Sequence, residues 1–296
     1  MKFIVQLTVL MSCLSLSVRV LGFDPDKHGQ HTQAALSMYL TCQQYFPERL
    51  PILLDGQDSK QMLQANIGLD DLSFSRAWNW HFYDDGFNDN EGKAGHIQNN
   101  DWGMKRALHP YFIAQSKKLA DMASVKKSRN IALGQVMHLI QDMAVPAHVA
   151  PIYHVAWNSD PFDGYQPLTP TVINISRIKC EQWLEMQSKN MDIDKLAVSL
   201  LRQLASRTRQ AISEKNEKGR TWHDYWLIYP NQVAPGQPGF TRYGVCGEAG
   251  FGLESEAALL PYCQMTKEQY DAFYHARVID SVETSLKLLF LMNTYQ

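Results

Sequence analysis

One segment of this 296-residue chain limits its fold more than any other: His138-Leu-Ile-Gln-Asp142-Met-Ala-Val-Pro146-Ala-His148. Val136, Met137, Leu139, Ile140, Met143 and Val145 surround its titratable residues with apolar side chains. So apolar a stretch belongs inside a core, and a carboxylate taken there is costly unless a cation or hydrogen-bond donors go with it. His138 and Asp142 are four residues apart, so a helix puts them on one face. Pro146 cannot continue that helix. A chain turned back at Pro146 can bring His148 towards the same face. Imidazole nitrogen and carboxylate oxygen are both good metal ligands. Taken alone, the spacing is also that of an i,i+4 His–Asp hydrogen bond with an unrelated His148.

The rest of the chain reads as helix and loop. Apolar residues recur at helical spacing over 27–46, 105–124, 128–145, 191–213 and 267–292. Pro47 follows the first of these stretches and Pro146 the third. The alternation of two that marks strands is hard to find. Three loop-like regions, 84–102, 151–170 and 229–252, are rich in Gly, Pro, Asn or aromatic residues. No long linker divides the chain. The expectation is all-α: a single compact multi-helix domain over residues 23–296, with long loops around a metal cleft.

Residues 1–22 read as a secretory signal peptide: a basic start at Lys2, then an apolar run in which Arg19 is the only charge. Cleavage after Gly22 leaves Phe23 as the first residue. A rival reading takes Leu10-Met11-Ser12-Cys13 as a lipoprotein signal. No later run is apolar enough to suggest a membrane span. The expected location is outside the cytoplasm, secreted or periplasmic. Four cysteines remain beyond Cys13, namely Cys42, Cys180, Cys246 and Cys263. An even count in an exported chain suggests two disulfides, with three possible pairings. Pairing Cys246 with Cys263 would close the shortest loop. There is no CxxC, so the cysteines are not read as a zinc site. The net charge of −2 gives no general reason to hold duplex DNA.

Two further clusters are weak alone. Asp70-Asp71 precede His81-Phe82-Tyr83-Asp84, where the histidine sits among Trp78, Trp80, Phe82 and Tyr83. Adjacent aspartates usually cap helices or face solvent, and a histidine amid aromatics is usually a core residue. His28 lies five residues after Phe23, and His31 competes with it one helical turn later.

Taken together and in this order, these clusters resemble the zinc-dependent phospholipase C and S1/P1 nuclease superfamily. That superfamily comprises all-helical exported hydrolases with three zinc ions in one cleft. The matching stretches are 23–28, 70–84 and 138–148, with His28 and Leu36 in the HxxxxxxAL form. The resemblance implies one zinc held by Asp71, His81, His138 and Asp142, with Asp70 as an alternative to Asp71. It implies a second zinc bridged by Asp142 and held by His28 and by the backbone amino nitrogen and carbonyl oxygen of Phe23. The third would take His148 with a histidine and an acid from the following loop. Here the pattern departs from the family: Asn158 stands where the acid belongs. His154 and Asp163 are the chosen candidates. Asp160 is a second acid in that loop, and His223 is a substitute ligand more readily read as core. His96, His109 and His275 are read as structural or surface residues.

The implied function is hydrolysis of a phosphodiester, with Asp71 orienting or deprotonating the attacking water and Asp142 bridging the metal ions. His81-Phe82-Tyr83-Asp84 is similar to the phospholipase branch, so a phospholipid is the favoured substrate and transient contact with a membrane surface is expected. Single-stranded nucleic acid is the alternative. Tyr153, Trp157, Phe162 and Tyr165 could surround a choline group, stack bases or simply be core. A monomer is expected. A third reading is a non-catalytic exported binding protein that keeps zinc for stability.

Overall fold

The computed structural model describes residues 25–51, 54–69, 83, 126–150, 152, 160–185, 193–215, 222–226, 243, 245–248, 263 and 265–291. Their order is α1 (Pro25–Tyr45), α2 (Gly56–Ile67), α3 (Lys126–Asp142), α4 (Pro146–Val149), α5 (Arg177–Glu185), α6 (Ile193–Ser213), a 3₁₀ turn (Trp222–Asp224), α7 (Val245–Glu248) and α8 (Lys267–Leu291). There is no strand among the described residues; Trp226 and Tyr243 form an isolated bridge. The protein is an all-α single domain. The periodic stretches that begin at 27, 128, 191 and 267 correspond to α1, α3, α6 and α8. The stretch 105–124 and the loop 84–102 lie outside the described residues, as do residues 1–24 and most of 229–252.

At the centre is the end of α3 with its continuation. Every residue from 136 to 150 is buried. A segment buried on all sides has no solvent face to show, which is why the sequence there is apolar nearly throughout. α2 lies along α3, and α1 packs on both α2 and α8. α6 supplies a clean helical stripe, in which Leu196, Ala197, Leu201, Leu204, Ala205 and Ile212 are buried. Beside it, an aromatic cluster joins the 160–165 turn to the 3₁₀ turn and α8. Phe162 packs edge-on to Trp226 and Phe273, and Tyr165 lies 4.4 Å from the Tyr270 ring.

Two helices escape a search for apolar periodicity. α2 buries Asp58, Met62 and Asn66, a stripe in which only one side chain is apolar. It is specified instead by a capping box: Asp58 N donates to Asp55 Oδ1 at 2.7 Å, and Asp55 N donates to Asp58 Oδ2 at 3.0 Å. Asp58 also accepts from Asn130 Nδ2 at 2.8 Å, which fixes the start of α2 against α3. α5 is only nine residues long and buries Cys180, Trp183 and Leu184.

Cys42 pairs with Cys180, and Cys246 pairs with Cys263. The first bond ties α1 to α5 across 138 residues; the second closes 17. On a chain-entropy account the two loops contribute about 5 and about 3 kcal/mol. Such bonds persist in oxidising surroundings, which fits an extracellular location. No described helix is long and apolar enough to cross a membrane.

α2 and α3 approach so closely that a Cβ on Gly134 would collide with the Met62 carbonyl oxygen and stand 3.0 Å from the Ala65 side chain. Gly134→Ala therefore lowers stability by about 1–3 kcal/mol, although the same change in an open helix would raise it by up to about 1 kcal/mol. A urea denaturation midpoint at or above wild type would contradict this close approach.

Candidate metal centre

α3 delivers two of the three central side chains. Its last turn tightens: the Met143, Ala144 and Val145 amides donate to the carbonyls of Ile140, Gln141 and Asp142 at 2.9–3.0 Å. Pro146, which has no N–H to lose, then occupies the first turn of α4, and Val145 before it is extended. Pro146 thus starts a new helical turn as well as ending the old one. That reversal carries His148 back to Asp142. The residues after it are held in place, because Tyr83 N donates to His148 O at 2.8 Å and Arg209 Nε donates to Val149 O at 2.8 Å.

α1 supplies the third side chain. His28 Nε2 lies 3.3 Å from Asp142 Oδ1, and His138 Nε2 lies 3.6 Å from Asp142 Oδ2. The two imidazoles stack with centroids 3.9 Å apart. His148 Nδ1 approaches Oδ1 of the same carboxylate at 3.8 Å. Of these four, the tight group is His28, His138 and Asp142, whose donor atoms lie within 4.8 Å of one another. All four residues are buried.

Whether this group suits a metal can be judged from its protons. His138 Nδ1 lies 2.9 Å from the Asn66 carbonyl oxygen, which can only accept, so Nδ1 carries a proton. Asn66 Nδ2 reaches the Gly134 carbonyl at 3.3 Å and Gln141 Oε1 at 3.2 Å. That orients the Gln141 amide, whose Nε2 donates to Thr32 and Ser285 hydroxyls at 3.0 and 3.2 Å. Gln141 Oε1 in turn accepts from His28 Nδ1 at 2.8 Å. In both neutral rings the proton is on Nδ1, and Nε2 turns a lone pair towards a carboxylate. A protonated Nε2 would make a charge-assisted bond of about 2.7–2.9 Å, shorter than either distance. Two donors sharing one first-row ion at about 2.0–2.2 Å stand about 3.3–3.6 Å apart when its geometry is tetrahedral. A buried set of lone pairs around one carboxylate is a group that could bind a metal ion.

His28 rather than His31 is the α1 histidine of this group. His31 Nδ1 instead pairs with Ser281 Oγ at 3.1 Å. Burial pushes its pKa down to about 3, with His28 and Lys27 adding to the effect. Asp163 is buried in the turn where its amide donates to Asp160 O at 3.1 Å. Asp160 is engaged elsewhere: it accepts from Trp226 Nε1, Tyr243 OH and the Phe162 amide at 2.8–2.9 Å. His275 pairs with Thr171 Oγ1 at 2.7 Å, and His223 lies in the 3₁₀ turn. Phe162 and Tyr165 are core, so neither is a surface for choline or bases. Phe23, Asp70, Asp71, His81, His154, Tyr153, Trp157, His96 and His109 lie outside the described residues. The residues that sequence reasoning missed are Asn66 and Gln141. Gln141 shows one sign, an amide on the helix that carries His138 and Asp142, whereas Asn66 holds His138 through its backbone carbonyl, which leaves no sign in the sequence.

No protein-family model, curated protein or solved structure matches the chain.

Gln141→Leu removes the acceptor that holds His28, so divalent-metal affinity falls about 10–100-fold with the fold retained. Competition titration against a chromophoric chelator measures this, and unchanged affinity would separate Gln141 from the site. His31 gives a second prediction. Its folded pKa lies below its unfolded value, so between about pH 6.5 and 3 the unfolded chain binds more protons and stability falls as pH falls. From pH 7 to 5 this residue accounts for a loss of about 2 kcal/mol. His31→Gln should make urea unfolding less sensitive to pH by that amount, and an equal loss in the variant would refute the assignment.

Proposed function

We propose that the protein is an exported zinc-dependent phosphodiester hydrolase of the phospholipase C type. The observation that carries this reading is the convergence of His28 from one end of the chain with His138 and Asp142 from its middle. Convergence alone would suit many metalloproteins. The order of the clusters, with His81-Phe82-Tyr83-Asp84 between them, favours a phospholipase C-like protein over its nuclease relatives. Zinc is favoured because imidazole and carboxylate suit it without cysteine, and up to three ions would be held with Phe23, Asp71, His81, His148, His154 and Asp163.

Bound zinc would neutralise the phosphodiester and acidify a water molecule. The chain's own residues have definable tasks. Asp142 presents both carboxylate oxygens, Oδ1 towards His28 and His148 and Oδ2 towards His138, which is the disposition a bridging ligand needs. Asn66 and Gln141 hold both imidazoles with Nε2 inwards. Arg209 and the Tyr83 amide fix the backbone that carries His148. The apolar walls of 136–150 keep competing water from the ligands. Asp71 is assigned the water-orienting role.

Complete burial of His28, His138, Asp142 and His148 favours a second reading, in which the metal serves stability alone. Asp142→Ala should lower bound zinc and reduce hydrolysis more than about 100-fold. The check is metal content together with turnover of phosphatidylcholine micelles and of single-stranded DNA and RNA. Turnover of nucleic acid alone would select the nuclease. Zinc without turnover of any of them would select the stabilising role.

A further inference from the structure

The segment that joins the 160–165 turn to α5 ends in a straight run of backbone. Residues 170–176 pass without turn or bend, and exposure alternates along them: Val172 and Asn174 face solvent, while Thr171, Ile173 and Ile175 are half-buried. That period of two is the mark of an extended strand lying on a core. The segment is fastened on both sides of this run. The Leu168 amide donates to Asp271 Oδ2 at 3.1 Å, Thr171 Oγ1 pairs with His275 Nδ1 at 2.7 Å, and Ser176 O accepts from the Cys180 amide at 3.0 Å. Among the described residues, no group hydrogen-bonds to the backbone N–H or C=O of 172–175. The run is therefore a lone extended strand, fixed in place, with unpaired edges.

We infer that two copies of the chain pair through this strand, antiparallel and about a two-fold axis at Ile173. Strand edges that must stay single are blunted by charge, proline or a bulge. Residues 167–176 carry no charge, and Thr-Val-Ile-Asn-Ile at 171–175 is β-branched at four of its five positions. The register is self-complementary: it opposes Ile173 to Ile173, Val172 to Asn174 and Thr171 to Ile175, so one contact is used twice. Leu168, Val172 and Ile178, at 55, 73 and 67 % exposure, are the most exposed large apolar side chains among the described residues. All three lie in the strand or within three residues of it. A lipid surface would also cover them, but unpaired backbone groups are costly against lipid, whereas a second strand satisfies them. So short an edge buries less than about 1,200 Å², which sets a weak dimer with a dissociation constant of about 10–100 μM. This assembly differs from the monomer expected of the sequence, and it is independent of phosphodiester hydrolysis.

Sedimentation velocity of the full chain from about 1 to 200 μM tests it, and wild type should pass reversibly from monomer to dimer. The double variant Val172→Lys/Asn174→Lys sets lysine opposite lysine across the axis and should weaken the dimer about tenfold or more. Val172→Lys/Asn174→Glu alters the same two exposed positions but sets lysine opposite glutamate, and should dimerise at least as well as wild type. The second variant also serves as the control for folding. A monomer throughout the range, a dimer that the first variant leaves unchanged, or equal weakening by both variants would overturn the assignment. A wild-type monomer that co-sediments with phosphatidylcholine vesicles would likewise overturn it, in favour of a lipid-facing patch.

Discussion

A carboxylate at the centre of the core sets the terms for everything around it. Asp142 is fully buried in a segment whose other side chains are mostly aliphatic. Its charge is tolerable only if cations or donors surround it. Three imidazoles reach it, two of them lone pair foremost, so a bound cation is what would offset the charge, and each ring arrives by a different structural device. His138 comes from one helical turn earlier, His148 from the reversal at Pro146, and His28 from a helix more than a hundred residues away. The proton positions on two of these rings then depend on Asn66 and Gln141. The Asn66 side-chain amide, which donates to Gln141 Oε1, also donates to the Gly134 carbonyl, within reach because α2 and α3 pack so closely. Helix packing and ligand orientation are therefore one problem in this protein.

The periphery is organised by other means. α1 and α5 are joined covalently through Cys42 and Cys180, and the 160–171 segment is fastened to α8 by hydrogen bonds. Asp271 accepts from Tyr165 OH at 2.7 Å and from the Leu168 amide at 3.1 Å. Trp226 and Tyr243 converge on Asp160 in the same region. These buried acids serve as acceptors for neutral donors, whereas Asp142 faces imidazole nitrogens. Similar residues in similarly apolar surroundings thus differ in what they can bind according to which groups the fold brings to them.

Much of this was legible before any coordinates. Helices with an apolar stripe, such as α6 and α8, declare themselves by periodicity. His138, Asp142 and Pro146 declare the turn that gathers the ligands. α2 does not, since its buried stripe is largely polar and its pairing is made of hydrogen bonds that no hydropathy pattern encodes. The choice between His28 and His31 was also hidden, because both lie on one turn and only the partners in α3 and α8 separate them. Of the two disulfides, Cys246–Cys263 is suggested by its short separation, while Cys42–Cys180 needs the fold. Gln141 illustrates the wider limit: its role arises from four partners on three other helices, none adjacent in sequence.

His28 and Asp142 lie in separate helices and meet only once α1 has docked. Before that, His138 and Asp142 form a two-donor fragment on a single helix, too sparse to retain an ion against water. The third donor arrives after a loop of more than a hundred residues has closed, a step whose entropic cost grows slowly with length. Capture of an ion by this group would thus be a late event in maturation. A chain that held a metal there would, by that fact, have passed an inspection of its own tertiary assembly.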